Sequence, residues 1–192
     1  MHAPRWFRWL ILGAFALALL RGVSLLTHAP LLAIANSYDQ ARYTDCFDLF
    51  PDRPPEIRPD TNSPEAPFEF YAFHANPMPL CYGSSELLVQ AATVGIYRAE
   101  ATLTDATRFS VRWIGALRLI VLLGLGAALT RAWWQRGHWQ AAAGNALLLP
   151  LLLLDPGNSL YFATFYAEGT ALATFWALMN LVLVWQDESG TV

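Results

Sequence analysis

The fold turns on Asp155–Gly169, DPGNSLYFATFYAEG, a polar and aromatic hairpin between two apolar runs, Ala141–Leu154 and Thr170–Trp185. With their aromatic flanks, both runs approach the roughly 17–25 residues that cross a bilayer's hydrocarbon core. A plain connection between two spans needs only a few small polar residues. This one holds Asp155, Asn158, Tyr161, Tyr166 and Glu168, with both carboxylates set against apolar chain. Charge at membrane depth is costly, and by default it marks a functional site. The blander reading is an interfacial turn, because Asp155-Pro156-Gly157-Asn158 is ordinary turn chemistry and tyrosine and phenylalanine populate the interfacial belt. Glu168, deeper in its apolar run, leans further toward function than Asp155 does.

Outward from the hairpin, the distribution of charge decides the class. The 192 residues are 55% hydrophobic, which alone fits a soluble domain or a small membrane protein. Most of the acids, from Asp39 to Asp105, fall between the first and second apolar runs. The remainder is nearly continuous leucine, alanine, valine and tryptophan, apolar all round rather than striped as a soluble helix would be. The reading is an all-α membrane protein with four transmembrane helices, near Trp9–Leu26, Ile114–Leu129, Ala141–Leu154 and Thr170–Trp185. Its parts are residues 1–26, a cytoplasmic start and first span; 27–111, a long extracytoplasmic loop with one or two interfacial amphipathic helices; and 112–192, three further spans with the hairpin at 155–168. Arg5, Arg8, Arg131 and Arg136 flank the spans on one side, which the positive-inside rule makes cytoplasmic. Arg112 and Arg118 argue mildly against that orientation. The predicted location is a bacterial inner membrane, and the lipid bilayer is the first partner. Arg21 interrupts the first run near its outer end, where it snorkels to the interface or turns into the bundle. The first run also resembles a signal peptide, but Ala33-Ile34-Ala35 lies too far beyond the apolar core to be its cleavage site, so an uncleaved anchor is expected.

The loop is rich in proline between Pro51 and Pro67, which forbids a continuous helix or a central strand there. Phe68–Phe73 alternates enough for a short strand or for an aromatic strip on the membrane surface. Cys46 and Cys81 are the only cysteines, and in an exported loop an even number favours a disulfide. No histidine stands at ligand spacing from either, so no metal site is expected there. Ser84-Ser85-Glu86 opens a helix by capping and first-turn charge. Leu87, Leu88, Ala91 and Val94 are read as its apolar side, and Gln90, Thr93 and Arg98 as polar. It is too mixed to span and is expected to lie along the interface. Thr104-Asp105 reads as a second helix start. Trp133, Trp134 and Trp139 mark the cytoplasmic interface, and Asn145 and Pro150 fall inside the third run.

Asp39, Arg42 and Asp45 follow the first span at a spacing that shares a helix face. A carboxylate beside a guanidinium can bind a phosphate-bearing ligand through a cation or through arginine directly; alternatively it is a solvated ion pair. The layout of an acid just outside the first span, an exported loop with interface-hugging helices and then further spans resembles the GT-C class of membrane glycosyltransferases. YFATFYAE is similar to a Tyr-Phe-x-(Ser/Thr)-Phe-Tyr-x-Glu pattern of polytopic bacterial envelope proteins of that general kind. The resemblance implies transfer of a sugar from a polyprenyl-phosphate carrier in envelope glycan assembly, with Asp39 as catalytic base. Substrate would be bound by Arg42, Asp45, Arg118, Asp155, Tyr166 and Glu168, with a divalent cation as the candidate cofactor. Members of that class have many more spans than four. The alternative is therefore a non-catalytic subunit that docks a membrane-protein partner, and a third is a small-solute transport component. Gly-rich phosphate loops, paired-cysteine metal motifs and a basic, aromatic nucleic-acid surface are absent.

Overall fold

The computed structural model describes residues 4–34, 38–52, 67–75, 81–84, 86–104 and 106–188, with the side chains of 38, 39, 41, 187 and 188 left aside. Most of the proline-rich segment and Asp105 therefore lie outside the described residues. The chain is mostly helical: α1 Arg5–Thr27, α2 Tyr38–Thr44, α3 Glu86–Thr104, α4 Arg112–Gln135, α5 Trp139–Leu154, α6 Pro156–Tyr161 and α7 Glu168–Glu188. It is not all-α. Strands β1 Leu49–Pro51, β2 Phe70–Phe73 and β3 Arg108–Ser110 form an antiparallel sheet in that order. Leu49 pairs with Phe73, and Tyr71 with Phe109. The alternation at Phe68–Phe73 is thus that of a strand, because Leu49, Tyr71 and Phe109 point to one buried face while Phe50 and Phe70 remain exposed.

Among the described residues, α1, α4 and α7 are long and apolar enough to cross a membrane. Helix α5 is equally apolar but has 16 residues; at 1.5 Å each it reaches about 24 Å, short of a core of roughly 30 Å. Asp155 ends it, and α6 follows at once.

The chain forms two compact units. The first comprises Met1–Ser24, Leu119–Ser159 and Thr170–Val192. Small residues set its helix contacts, as expected where lipid removes most of the hydrophobic drive and close packing must replace it. Ala14 and Ala18 are buried on α1, and Ala142, Ala143 and Ala146 on α5. A Cβ at Gly126 would stand 2.6 Å from Leu149 Cδ1. Polar links are few: Asn145 Nδ2 donates to Thr130 Oγ1 at 3.0 Å, and Trp133 Nε1 to Asn180 Oδ1 at 3.1 Å. Trp133 is consequently buried, and Trp139 packs edge-on to Phe7 with centroids 4.3 Å apart, so only part of the expected aromatic belt faces outward. Arg21 Nε donates to the Leu153 carbonyl at 3.2 Å, a last-turn oxygen of α5 that also accepts the Ser159 hydroxyl at 2.7 Å.

The second unit comprises Leu25–Arg118 and Leu160–Gly169. Its core gathers Leu31, Leu49, Tyr71, Tyr97, Phe109 and Phe165 among others. Edge-to-face rings carry it: Tyr71 on Phe165 at 5.0 Å and Tyr97 on Phe109 at 5.4 Å. Cys46 and Cys81 are disulfide-bonded across 35 residues, with Cα atoms 4.7 Å apart.

Candidate functional site

Helix α3 buries most of its polar side and leaves much of its apolar side exposed. Ser84 accepts the Glu86 amide at 3.1 Å and caps the helix, fixing Glu86 in the first turn. Glu86, Gln90, Thr93, Val94 and Tyr97 face inward, while Leu88, Ile96 and Leu103 are exposed. A polar face buried and an apolar face outward make sense only if the inner face has partners. It has one of unusual strength.

Arg118 enters the second unit from the first turns of α4, 4% exposed, against Glu86 at 1%. Its Nη2 forms an ion pair with Glu86 Oε1 and donates to the Tyr166 carbonyl at 2.8 Å. Its Nη1 donates to the carbonyls of Tyr161 at 2.8 Å, Phe162 at 2.9 Å and Thr164 at 3.0 Å. Gln90, one turn along α3 from Glu86, donates to the intervening Phe165 carbonyl at 2.8 Å. The backbone of YFATFY is thus wrapped around one guanidinium and one amide. Burying two opposite charges costs several kcal/mol each in desolvation, which the pair recovers only when its remaining hydrogen-bonding groups are also satisfied. The carbonyls supply that for the arginine. Gly169 leaves the space it needs, since a Cβ there would lie 3.0 Å from Arg118 Nη1 and 2.9 Å from the Tyr161 carbonyl. Thr164 tightens the same turn, its hydroxyl donating to the Tyr161 carbonyl at 2.9 Å and accepting the Tyr166 amide at 3.2 Å.

Around this clamp, Tyr71 donates to Gln40 Oε1 at 3.3 Å, which ties α2 to the sheet. Glu86 Oε2, Gln90 Oε1 and Gln40 Nε2 are buried without a hydrogen-bond partner among the described residues. Nearby, Arg112 grips Glu69 through Nε at 2.6 Å and Nη2 at 2.9 Å, and adds the Leu26 and His28 carbonyls. Tyr97 donates to the Arg108 carbonyl, and burial, with Glu100 adding to it, holds its phenol above the ordinary tyrosine range.

The residues nominated from the sequence fall in different settings. Arg118, expected to hold a carrier phosphate, has its donors directed at Glu86 and backbone instead. Tyr166 contributes its carbonyl to that arginine, and its ring meets Tyr161 edge-on at 5.6 Å. Glu168 opens α7, is exposed, and adds an attractive charge toward Arg118. Asp155 belongs to the first unit and acts as a helix cap: its Oδ2 accepts the Asn158 amide at 2.9 Å, with Pro156 at the first helical position. Asp39 lies in α2, its side chain outside the described residues. Arg42 is exposed, its Cζ 5.8 Å from the Tyr82 ring centroid. Asp45 is half-buried and begins a 3-10 turn that follows directly on α2. Among the described residues no three His, Cys, Asp or Glu gather where they could hold a metal ion.

Glu86 was the functional partner that sequence reasoning missed. A signal existed, because an arginine inside an apolar run calls for a named anion, and Glu86 with Gln90 is a one-turn polar pair on an otherwise leucine- and alanine-rich helix. No family model, curated protein or solved structure matches this chain.

Proposed function

We propose that this is a four-span membrane protein of the bacterial envelope that works as a non-catalytic recognition subunit. The observation that carries this reading is the state of Arg118: the cation best placed by sequence to meet an anionic sugar carrier is sealed under Glu86 and four backbone carbonyls. A group whose two Nη nitrogens are so engaged organises a surface and cannot present them to a substrate. The disulfide and the Arg112–Glu69 pair stiffen the same unit, as a docking surface requires. Helix α3 then lies along the bilayer with Leu88, Ile96 and Leu103 toward lipid, and the arginine-rich flanks place both chain ends in the cytoplasm. α5, short by itself, crosses with the help of the turn at Asp155 and local bilayer thinning.

A second reading keeps the enzyme: glycosyl transfer from a polyprenyl-phosphate sugar with Asp39 as base, and Glu168 and Asp155 positioning a sugar or a divalent cation. What favours it is that Asp39 and Glu168 belong to one compact unit, and that Gln40, the neighbour of Asp39, is anchored to Tyr71. Chromosomal Asp39→Asn, Glu168→Gln and Ile96→Glu variants separate the two. Recognition predicts that the carboxylate variants accumulate and function normally, while Ile96→Glu, at the centre of the exposed stripe, loses the envelope phenotype. Normal accumulation with lost glycan transfer in Asp39→Asn would sink the recognition reading and establish the enzyme.

A further inference from the structure

The first unit has a feature that crossing a bilayer does not by itself require. Arg8, Ile11 and Phe15 on α1 and Ala127, Arg131 and Trp134 on α4 line a groove of about 470 Å³. On each helix the three residues are spaced by three and four, so each trio occupies one face. The chemistry is sorted along the groove. Arg8 Cζ stands 5.7 Å from the Trp134 ring centroid, which brings the start of the α1 stripe beside the end of the α4 stripe. Arg131 lies one turn before Trp134, so both guanidinium groups belong to that end. Ile11, Phe15 and Ala127 continue the groove away from it, over about 10 Å of helix.

Neither arginine makes an ion pair with a described residue. No aspartate or glutamate occurs in residues 1–38 or 106–154, so neither helix can supply one. Two like charges beside a low-dielectric wall repel unless an anion lies between them. We propose that the groove holds one anionic phospholipid of the bilayer, its phosphate shared by Arg8 and Arg131 and one acyl chain along Ile11, Phe15 and Ala127. Guanidinium groups suit phosphate because two N–H bonds can run parallel to two oxygens. Basic pockets between spans bind anionic head groups, and a tryptophan at the same level is where interfacial aromatics reside. Free phosphate would have no use for the apolar part, and an uncharged lipid none for the arginines. The inference rests on the bilayer placement of α1 and α4 and is independent of the recognition role proposed for the second unit.

The test is native mass spectrometry of the full chain in a non-ionic detergent, titrated separately with phosphatidylglycerol, phosphatidylcholine of the same acyl chains, and inorganic phosphate. Phosphatidylglycerol should be retained in preference to phosphatidylcholine, and phosphate alone should not be retained. Arg8→Gln and Arg131→Gln should each weaken phosphatidylglycerol about fivefold, and the double variant roughly 25-fold. Ala127→Trp fills the groove while keeping both charges, and should release the lipid. Arg136→Gln removes a guanidinium that caps the Ala132 carbonyl and does not line the groove, and should leave the affinity unchanged. Equal retention of the two lipids would overturn the proposal. So would an unchanged preference in a double variant of native helicity, or an unchanged affinity in Ala127→Trp. A loss of preference in Arg136→Gln equal to that in Arg8→Gln would reduce the effect to general surface charge, and also overturns it.

Discussion

The two units solve the same problem of specificity with opposite materials. In the first, helices meet through alanine and glycine, with neutral links from Asn145 to Thr130 and Trp133 to Asn180 and a guanidinium, Arg21, donating to the Leu153 carbonyl. In the second, a buried ion pair with its carbonyl ligands sits beside a ring-stacked core, and a disulfide closes the chain. The difference follows from solvent. Apolar helices in lipid have little to gain from a charged core, and small-residue contacts suffice to fix how they meet. In the second unit residues 162–166 belong to no helix or strand, so the turn takes its hydrogen bonds from Arg118 and Gln90. The contrast predicts where the protein is brittle.

The largest effect should come from Arg118→Met. It leaves Glu86 as an unpaired buried charge and strips donors from the carbonyls of Tyr161, Phe162, Thr164 and Tyr166. The expected loss is about 3–5 kcal/mol, read from denaturant unfolding in detergent. Adding Glu86→Leu should recover part of that loss by removing the stranded charge, but not all of it, because the carbonyls still lack donors. Full recovery would mean that the arginine balances a charge and does not build the turn. Unchanged stability in Arg118→Met would end the contrast between the units.

Next in size is the disulfide. Replacing Cys46 and Cys81 by serine frees a loop of 35 residues, which should cost roughly 2–4 kcal/mol. The sharper readout is location. Amide exchange should accelerate in α2, β1 and β2 while α5 keeps its protection. Equal acceleration in α5 would show that the two units unfold as one.

How legible each unit was in the sequence follows from the same difference. Unbroken apolar composition located α1, α4, α5 and α7 to within a few residues, because a lipid-facing helix needs nothing beyond length and hydropathy. The cysteine pair was legible from compartment and count. What α3 turns inward was not, since its polar side has no partner legible in the sequence and Val94 groups there with Leu88, whereas Val94 is buried beside Glu86 and Gln90, with Glu86 paired to Arg118. Asp155 and Glu168 flank one hairpin, and depth in the apolar run set Glu168 apart as the more functional of the two. They differ because Asp155 precedes Pro156-Gly157-Asn158 and is drawn into a cap, whereas Glu168 opens a helix and stays exposed. Strands β1 and β3, three residues each, are too short to carry an alternation. They exist because β2 lies between them.

Asn145→Leu in the first unit should have the smallest effect, and it is the control that gives the other two their meaning. Asn145 is as buried as Arg118, each 4% exposed, so burial alone cannot separate them. Its Nδ2 donates to Thr130 Oγ1, but its Oδ1 has no hydrogen-bond partner among the described residues. Substitution therefore removes two interhelical bonds, this one and a longer one from Nδ2 to the Gly126 carbonyl at 3.4 Å, each worth on average about 0.6 kcal/mol between membrane helices. It also relieves an unmatched buried acceptor, which works in the opposite direction. Leucine is close to asparagine in size, so the substitution opens no large cavity. The net change should stay within about 1 kcal/mol of wild type by the same unfolding measurement. A loss as large as that of Arg118→Met would mean that the neutral link between α4 and α5 organises the first unit as the charged clamp organises the second, and the two units would then share one mode of construction.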